Sequence, residues 1–567
     1  KEVKSSKTEQ QFIHIRDCQG PGGPIVDSLY IARFCSIDDA LGFIENHGFK
    51  HPVLVIDAGR YSIKRTIDRG VEFRASDELA PSERVVITPP SLVSGHDCCT
   101  LRVIMQNSDD ELVLDGLYIT ARAGLPALSV TSGKISAADT TFSGSIVLQG
   151  QASVGELIDV SVSGPIYTED YKPEDTNRVL GIPTLGQCRS SGIAVLAGAV
   201  LEASRVTISD ASPLGICVSD TDSTATLINS SIVDTMGLEY MNHWIGFGWG
   251  GFVGNGGRLS LVGSTVNNTW VAGLVIDGVG SHLTLSDGST LSDARSFGNY
   301  QEQAGILAQN RGEVTLSDSE ITRIASGVGL VVSSGGTATV TDVVFDENGF
   351  AGIAVINGTL RMIRGRVVNT TGGPSGGGVG ILVQLDLEGV SDVFIEDSTI
   401  ARNFYTGIWL NGWGGNTTIV GTRFRDNADG IEEDPGWNSG YGIHVDCYGK
   451  NYWEPCPVQR VSATDIVLTE NRFSRTASQG SNLLKDKLRL MPSRPYIHVF
   501  LNGSNATLTR NSYVGGTVDV HQQMCSSTTP VDLSNDGALR NNLCPQWDTP
   551  TRNVWFSLIF EDATPVP

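Results

Sequence analysis

The segment GIAVI at residues 352–356 carries the pattern that determines the fold, because copies of it recur along most of the chain. In each copy a glycine precedes a short stretch in which apolar residues occupy every second position. The copies, called anchor strands below, are GIAVL at 192, GICVS at 215, GLVID at 273, GILAQ at 305, GLVVS at 329, GILVQ at 380, GIWLN at 407, GIHVD at 442 and, without the glycine, YIHVF at 496. The closest copies are 23 or 24 residues apart, which predicts an array of stacked repeats.

Further short strands lie between the anchor strands, for example in GTLRMIRGRVV, GNTTIVGTRF, ATDIVLTENRF and NATLTRNSY. Each repeat therefore has about three strands, and it is too short to bury its own apolar face, so the repeats must stack. In these segments, over roughly 53–520, the chain resembles the secreted right-handed parallel β-helix superfamily of pectin-lyase-like solenoids. The resemblance implies an all-β fold, a single-stranded right-handed parallel β-helix.

The segment SIDDALGFIENHG at residues 36–48 is predicted to be a helix, with Ser36 as N-cap and Gly48 just past its end. In the resembled superfamily such a helix covers the open end of the solenoid, which protects an exposed sheet edge. We therefore expect an N-terminal segment and capping helix over 1–52, the β-helix over 53–520, and a C-terminal cap over 521–567.

Residues beyond about 23 per repeat accumulate at one point, just before the anchor strands. They form the predicted insertions 165–191, 236–257, 294–304, 371–378, 432–441 and 474–495. Insertions at the same point of successive coils must emerge on one side of the solenoid. The stretch MNHWIGFGWGGFVGNGG at 241–257 is interpreted as part of one such loop.

Aromatic and acidic side chains are common in and beside these insertions. They include Tyr171, Trp244, Trp249, Trp413, Glu433, Asp434, Trp437 and Tyr441. Rings suit the apolar faces of sugars, and carboxylates suit hydroxyl groups or proton transfer. This composition predicts a carbohydrate-binding groove, and the alternative is a set of small cores that pack the loops onto the solenoid.

One face of the anchor strands points away from the interior, because side chains alternate along a strand. The third residue of each anchor strand lies on that face, and in most strands it is apolar. This predicts that the face is covered. Towards the C-terminal end the third residue becomes Trp409, His444 and then His498, and the fifth becomes Asn411 and Asp446.

These residues are the predicted site, with Trp409, Asn411 and His498 binding substrate. His444 and Asp446, beside Glu433 and Asp434, are the acid/base candidates. Simple stacking of polar surface residues is one alternative. A metal site made from both histidines and Asp446 is the other, but no further ligand is evident. No cofactor is expected, although a bound Ca²⁺ is considered.

Four asparagines, Asn403, Asn427, Asn471 and Asn511, each follow a short strand. Asparagine tolerates left-handed backbone and hydrogen-bonds local backbone groups, so a structural ladder at the turns of the coil is predicted rather than a ligand site.

Ten cysteines fall into neighbouring groups: Cys18/Cys35, Cys98/Cys99, Cys188/Cys217, Cys447/Cys456 and Cys525/Cys544. Their even number and short spacings favour local disulfides over zinc, and the pairing of Cys98 and Cys99 stays open. The protein is therefore expected to be secreted, periplasmic or on the cell surface. Its net charge of −22 argues against nucleic acid or anionic membrane as partner, and no apolar run approaches the about 18 residues of a membrane span.

The predicted function is the binding, or also the processing, of a polysaccharide or surface glycan. No catalytic motif of the β-helix lyases, polygalacturonases or epimerases is present, so catalysis is not decided. If the protein is an enzyme, the acidic insertions favour a glycoside hydrolase that acts on a neutral polysaccharide. They argue against a lyase, which must neutralise the carboxylate of an acidic sugar. The alternative is a non-catalytic scaffold or adhesin that docks a protein partner.

Overall fold

The structure is a computed structural model of the chain. It describes residues 11–16, 32–80, 82–90, 99–107, 109–122, 125–164, 188–189, 191–236, 238–240, 243–245, 248–295, 303–372, 377–384, 390–411, 415–427, 441–446, 464–474, 497–502, 505–514, 517–521, 532–535 and 556–559. The chain divides into two compact units, Lys1–Trp270 with Gly280–Leu283, and Val271–Val279 with Thr284–Pro567. Both units are built from coils of three short strands that pair in parallel with the equivalent strands of neighbouring coils.

The three strands of each coil belong to three surfaces, named here the anchor sheet, the middle sheet and the third sheet. In the first unit the anchor sheet contains Leu101–Ile104, the first part of Leu128–Ala138, Ile146–Gln149, Ile193–Leu196, Leu214–Ser219 and Trp249–Gly254. The middle sheet contains Phe12–Ile15, Ala32–Phe34, Val53–Ile56, Val71–Ala75, Glu111–Asp115, the rest of Leu128–Ala138, Ser153–Ile158, Val200–Ser204, Thr224–Ile228 and Arg258–Val262. The third sheet contains Gly59–Ser62, Val85–Thr88, Leu117–Thr120, Thr141–Ser143, Ser161–Ser163, Thr207–Ser209, Ser231–Val233 and Thr265–Asn267.

The second unit repeats this order. Its anchor sheet contains Ala272–Asp277, Ala304–Gln309, Val328–Ser333, Ala351–Ile356, Val379–Gln384, Thr406–Asn411, Tyr441–Asp446, Ile497–Asn502 and Thr517–His521, and Phe556–Ile559 pairs antiparallel with the last of these. Its middle sheet contains His282–Ser286 (whose first two residues belong to the first unit), Glu313–Ser317, Thr337–Thr341, Thr359–Ile363, Asp392–Glu396, Gly415–Val420, Thr464–Thr469, Asn505–Thr509 and Asp532–Asn535. Its third sheet contains Thr290–Ser292, Glu320–Thr322, Val344–Asp346, Arg366–Val368, Thr399–Ala401, Arg423–Arg425, Arg472–Ser474 and Ser512–Val514.

The anchor glycines are required by close contact between successive coils. A Cβ atom placed on Gly352 would lie 2.8 Å from the carbonyl oxygen of Gly380, and one on Gly380 would lie 2.4 Å from that of Gly407. The same construction on Gly407 meets the carbonyl oxygen of Gly442 at 2.4 Å. Side chains do not approach a backbone oxygen so closely, so the recurring glycine of the sequence pattern is a steric requirement of the stack.

The anchor sheet and the middle sheet differ in burial. In Thr337–Thr341, a middle-sheet strand, only the alternate residues Ala338 and Val340 are fully buried. In Ala351–Ile356, an anchor strand, the inward Ile353 and the outward Ala354 are both buried. The outer face of the anchor sheet is therefore shielded from solvent at this strand, as its apolar sequence predicts, whereas the outward Leu307 and Val331 of neighbouring strands are half-buried.

Single residues in left-handed backbone form the turns on either side of the third sheet. In the second unit, the turn from the middle sheet contains Asp318, Asp342, Arg364, Asp397, Glu470 and Arg510, and the turn towards the anchor sheet contains Asp293, Arg323, Glu347, Asn369, Arg402 and Asp426, all with positive φ. Aspartate and asparagine tolerate this conformation better than most residues, which accounts for their frequency there.

The residue after each left-handed position points inward, and here the predicted asparagine ladder is confirmed as structural. Asn403 is buried, and its backbone N–H donates to the Oδ1 of Asn427 at 3.2 Å. Asn471 donates in the same way to the Oδ1 of Asn511, at 2.9 Å. The four residues form two ladders rather than one, because the first pair follows the third sheet and the second pair follows the middle sheet.

The predicted helix is confirmed at Ile37–His47. The Oγ of Ser36 accepts the N–H of Asp39, and Gly48 ends the helix in left-handed backbone with φ 63°. Before it, Phe12–Ile15 pairs in parallel with both Ala32–Phe34 and Val53–Ile56, so strand pairing begins ahead of residue 53. Within the described part of the chain, no helix has the length and apolarity to cross a membrane.

The interpretation of 241–257 as a loop is wrong in its second half. Trp249–Gly254 is a regular anchor strand that pairs in parallel with Leu214–Ser219, and Phe252 lies opposite Cys217. Its glycines hide the alternation, because Gly251 takes the place that Ile216 holds in the preceding strand. Ahead of it, Leu238–Tyr240 and His243–Ile245 form an antiparallel pair.

One of the predicted disulfides, Cys188–Cys217, is present, with the two Cα atoms 5.4 Å apart. Cys35 is also disulfide-bonded, and its predicted partner Cys18 lies outside the described residues. Cys99 is buried. Cys98, Cys447, Cys456, Cys525 and Cys544 lie outside the described residues, as do most residues of the predicted insertions.

Candidate functional site

The outer face of the anchor sheet in the second unit has an apolar centre. Its fully or largely buried members are Val328, Ala351, Ala354, Val379 and Leu382, and the half-buried Val331, Phe350, Tyr405 and Trp409 pack against them. The cluster is distinct from the interior of the coil, where Leu330, Ile353 and Ile381 lie. Along the stack, the outward residues change from aliphatic, at Val328 and Val331, to aromatic, at Tyr405 and Trp409.

The strand register confirms the predicted column of third residues as far as His444. Val331 lies opposite Ala354, Ala354 opposite Leu382, and Leu382 opposite Trp409. Trp409 in turn lies opposite His444. The fifth residues follow the same order, because Gln384 lies opposite Asn411 and Asn411 opposite Asp446.

The prediction that His498 continues this column is wrong. His444 lies opposite Phe500, and Tyr441 lies opposite Ile497, so His498 has the register of the anchor glycine Gly442. The error arises because the segment YIHVF lacks the glycine that marks the start of the other copies. Its alternation then fits two registers that differ by two residues.

Four aromatic residues, Phe350, Phe404, Tyr405 and Trp409, define a surface that we call the aromatic edge. It lies where the turn after the third sheet enters the anchor sheet. Arg402 forms the left-handed turn, and the side chain of Asn403 is buried in its ladder, so the next two residues emerge at the corner. The backbone N–H of Phe404 donates to Thr370, and that of Tyr405 to Gly378.

Glycines make room for these rings. A Cβ atom on Gly372 or Gly378 would lie 2.9 Å or 3.0 Å from the Cδ1 atom of Phe404, and one on Gly377 would meet the ring of Phe350 at 2.6 Å. The ring of Phe404 thus lies close above glycine backbone, and the residue is 39% exposed. Tyr405 and Trp409 pack beside each other, with ring centroids 5.8 Å apart and planes tilted by 49°.

The other predicted site residues divide into three groups. Trp249 is 6% exposed and packs beside Phe252, with ring centroids 6.1 Å apart, so it is part of the packed fold rather than an open platform. Asn411, Tyr441, His444, Asp446, His498 and Trp244 lie in strands of known register whose side chains are outside the described structure. Tyr171, Trp413, Glu433, Asp434 and Trp437 lie outside the described residues altogether.

Phe350, Phe404 and Tyr405 were missed by the sequence analysis, because a turn has no periodic pattern. A signal was nevertheless available. Phe404 directly follows the ladder residue Asn403, and Phe350 follows the equivalent Asn348 by two positions. An aromatic residue just after an inward asparagine occupies the corner of the coil.

Asp–Arg pairs lie in both turns that flank the third sheet, for example Asp293–Arg323 on the anchor-sheet side and Asp342–Arg364 on the middle-sheet side. The hydrogen bonds from Arg323 lower the pKa of Asp293 from its ordinary value, and those from Arg364 do the same for Asp342. No group of three or more His, Cys, Asp or Glu side chains suited to a metal ion occurs among the residues that can be described.

The Asp293–Arg323 pair should contribute a small pH-dependent stability. Since the folded-state pKa of Asp293 lies below the unfolded value of 3.8, the contribution is complete above that value and is lost as the pH falls through the folded pKa. We expect Asp293→Asn to lower the Tm by a few degrees at most at pH 7, because an exposed pair contributes about 0–1 kcal/mol. The Tm values of the two proteins should converge at a pH well below 3.8, where Asp293 is protonated in the folded protein as well. A gap in Tm that is unchanged at that pH would contradict the assignment.

Solved structures similar to this chain include the A-module of the Azotobacter vinelandii mannuronan C-5 epimerase AlgE6, at 13% identity, with 84% of this chain and 94% of that chain covered and a TM-score of 0.34. The Dettilon tailspike protein gp208 has 12% identity, with coverages of 76% and 68% and a TM-score of 0.38. The catalytic domain of a GH87 α-1,3-glucanase has 12% identity, with coverages of 82% and 71% and a TM-score of 0.26. No curated protein matches the sequence.

The sequence matches a family model described as the right-handed β-helix region. The matched residues are 184–362 and 304–516, which together make up more than half of the chain. They include the anchor strands from Ile193–Leu196 to Ile497–Asn502. The expected all-β parallel solenoid agrees with this match, and the chain belongs to the right-handed β-helix family.

Proposed function

We propose that the protein binds a carbohydrate at the aromatic edge, in a secreted, periplasmic or cell-surface setting. The observation that carries the proposal is the exposed ring of Phe404 above glycine backbone, next in sequence to the half-buried Tyr405, which packs beside Trp409. A flat, rigid ring suits the apolar face of a sugar, and Tyr and Trp add polar atoms for its hydroxyl groups. The disulfide Cys188–Cys217 supports an oxidising compartment.

Processing of the bound sugar is part of this proposal. The strand after Trp409 carries His444 opposite it, and Asp446 lies opposite Asn411. If the bound sugar is processed, His444 and Asp446 would act as acid and base, with Glu433 and Asp434 as further candidates. The alternative of a protein-docking scaffold has less support, since the apolar outer-face residues Ala354 and Leu382 are only 2% and 5% exposed.

The test is the affinity of Phe404→Ala for glycans that bind the wild-type protein on an array. We expect a loss of about tenfold, or about 1.4 kcal/mol, because the ring that contacts the sugar is removed. Phe394→Ala is the matched control, since Phe394 is a half-buried ring on the middle sheet that packs under Arg361. Equal affinities of the wild type and Phe404→Ala, or an equal loss in the control, would contradict the proposal.

A further inference from the structure

Three arginines, Arg366, Arg423 and Arg472, form a row on the third sheet of the second unit, which we call the arginine row. Arg366 lies opposite Thr399, Thr399 opposite Arg423, and Arg423 opposite Arg472. Neighbouring strands are about 4.8 Å apart, so Arg423 and Arg472 are direct neighbours and Arg366 lies about 10 Å from Arg423. All three are exposed.

The row stands on a rigid base. The residue after each arginine points inward, and Val367, Phe424 and Phe473 are at most 1% exposed. The rings of Phe424 and Phe473 stack at 4.7 Å between centroids, with 9° between their planes. The positions of the arginines are thus fixed by the sheet, and only their long side chains adapt.

The arginines of the row differ from the arginines in the turns that flank the third sheet. Arg205, Arg323, Arg364 and Arg510 each pair with a carboxylate of a neighbouring coil, at Asp159, Asp293, Asp342 and Glu470 respectively. None of the three row arginines makes an ion pair with any carboxylate in the described part of the chain. Like charges that lie directly opposite each other on adjacent strands, such as Arg423 and Arg472, repel each other.

Three acidic groups near the row are already engaged with other residues. Asp426 accepts from Arg425, Glu470 pairs with Arg510, and Asp346 accepts from Asn369. Asp397 also lies in the adjoining turn. Arg366, Arg423 and Arg472 make no ion pair with these described acids, so their guanidinium groups can bind an anion from outside.

We propose that the arginine row binds the carboxylate or sulfate groups of an anionic polysaccharide. The proposal rests on the carbohydrate-binding function proposed above and specifies the class of glycan. A guanidinium group forms paired hydrogen bonds to either kind of anion. The central strand of the row, Thr399–Ala401, also continues within three residues to Phe404, so the row and the aromatic edge lie on neighbouring sides of the same coils.

The charge of the whole chain favours a glycan over a nucleic acid. A nucleic acid is a dense polyanion that a net charge of −22 repels, and three arginines neutralise few of its phosphates. A polysaccharide that carries separated acidic groups is repelled less. The expectation of a neutral glycan was based on the acidic insertions, whereas the arginine row lies on a sheet that those insertions do not interrupt.

The test compares two double variants of the full chain that lose the same charge. Arg423→Gln with Arg472→Gln removes part of the row, and Arg323→Gln with Arg364→Gln removes two arginines that are paired with aspartates. Binding is measured to immobilised polygalacturonate, dextran sulfate and neutral dextran, and to single-stranded RNA. Thermal unfolding checks that all proteins are folded.

We expect the row variant to lose at least about tenfold in affinity for polygalacturonate or dextran sulfate, because each charged hydrogen bond is worth a factor of about ten. The paired variant should lose much less, and added salt should weaken the binding of the wild type more than that of the row variant. Equal losses in both variants, or no loss in either, would overturn the proposal. Tighter binding to RNA than to both acidic polysaccharides would overturn it as well.

The two proposals fail in different ways. If Phe404→Ala leaves all glycan binding intact while the row variant loses the acidic polymers, the aromatic edge is wrong and the arginine row stands. If Phe404→Ala weakens binding to every glycan while the row variant behaves as the wild type, the carbohydrate function stands and the arginine row is wrong.

Discussion

Gly380→Ala is expected to lower the free energy of unfolding by about 3 kcal/mol, the upper end of the usual cost of overpacking, because backbone is part of the obstacle. The added methyl group would lie 2.4 Å from the carbonyl oxygen of Gly407 and 2.6 Å from the Nδ2 atom of Asn403. Neither atom can move freely, since the first belongs to the next coil and the second to a buried ladder. Urea and thermal unfolding of the variant give the measurement.

The control for this prediction is Gly288→Ala. Gly288 has φ +80°, and a Cβ atom there would have no neighbour within 4 Å. This substitution should cost only the strain of left-handed backbone, about 1 kcal/mol. If the two variants unfold at the same urea concentration, close contact between coils does not explain the anchor glycines.

Asn403→Ala should lower the free energy of unfolding by about 3 kcal/mol, because it leaves several buried polar groups without partners. The Oδ1 atom of Asn403 accepts from the N–H and the hydroxyl of Thr370, at 3.3 and 2.9 Å. Its Nδ2 group donates to the carbonyl of Val367 and to the Oδ1 of Asn427, at 3.3 and 2.9 Å.

Asn416→Ala provides the matched measurement at an exposed position. The side chain of Asn416 donates to Asp392 at 3.2 Å, but water can replace that bond. Thermal unfolding should therefore show a much larger decrease in Tm for Asn403→Ala than for Asn416→Ala. Similar decreases would mean that the ladder contributes no more than a surface hydrogen bond.

The repeat, the helix and the asparagine ladders could be predicted because each depends on local sequence. The anchor glycine recurs since a backbone oxygen of the next coil lies against it at the described positions from Gly192 to Gly407, and Ser36 and Gly48 mark the helix ends by their capping chemistry. The two ladders could not be separated by sequence alone. The asparagine follows a left-handed residue at both turns, so only the order of strands distinguishes them.

Register was harder to predict where the glycine marker fails. Trp249–Gly254 contains too many glycines to show alternation, and Ile497–Asn502 has a histidine where the marker is expected. The predicted column is correct as far as His444, because Trp409 and His444 each lie two residues after an anchor glycine. A period-2 pattern defines which residues share a face, but it leaves shifts by two residues open.

Most residues of the proposed binding surfaces could not be predicted from the sequence. Trp409 was recognised from its column, whereas Phe404 and Tyr405 lie in a turn whose geometry depends on Gly372 and Gly378 in the preceding coil. The arginine row spans positions whose spacing varies with the insertions between them. Its members become neighbours only when the strands are placed in register.

The pairing of each strand with its successor also bears on how the second unit folds. Val328–Ser333 pairs with Ala351–Ile356, which begins 23 residues later in the chain, and Glu320–Thr322 pairs with Val344–Asp346, which begins 24 residues later. Loop closure over so few residues costs little entropy, so a coil can be added to any neighbour that has already formed. Among these closely spaced coils, folding can therefore start at several places and spread by local steps, without a search for partners that are distant in sequence.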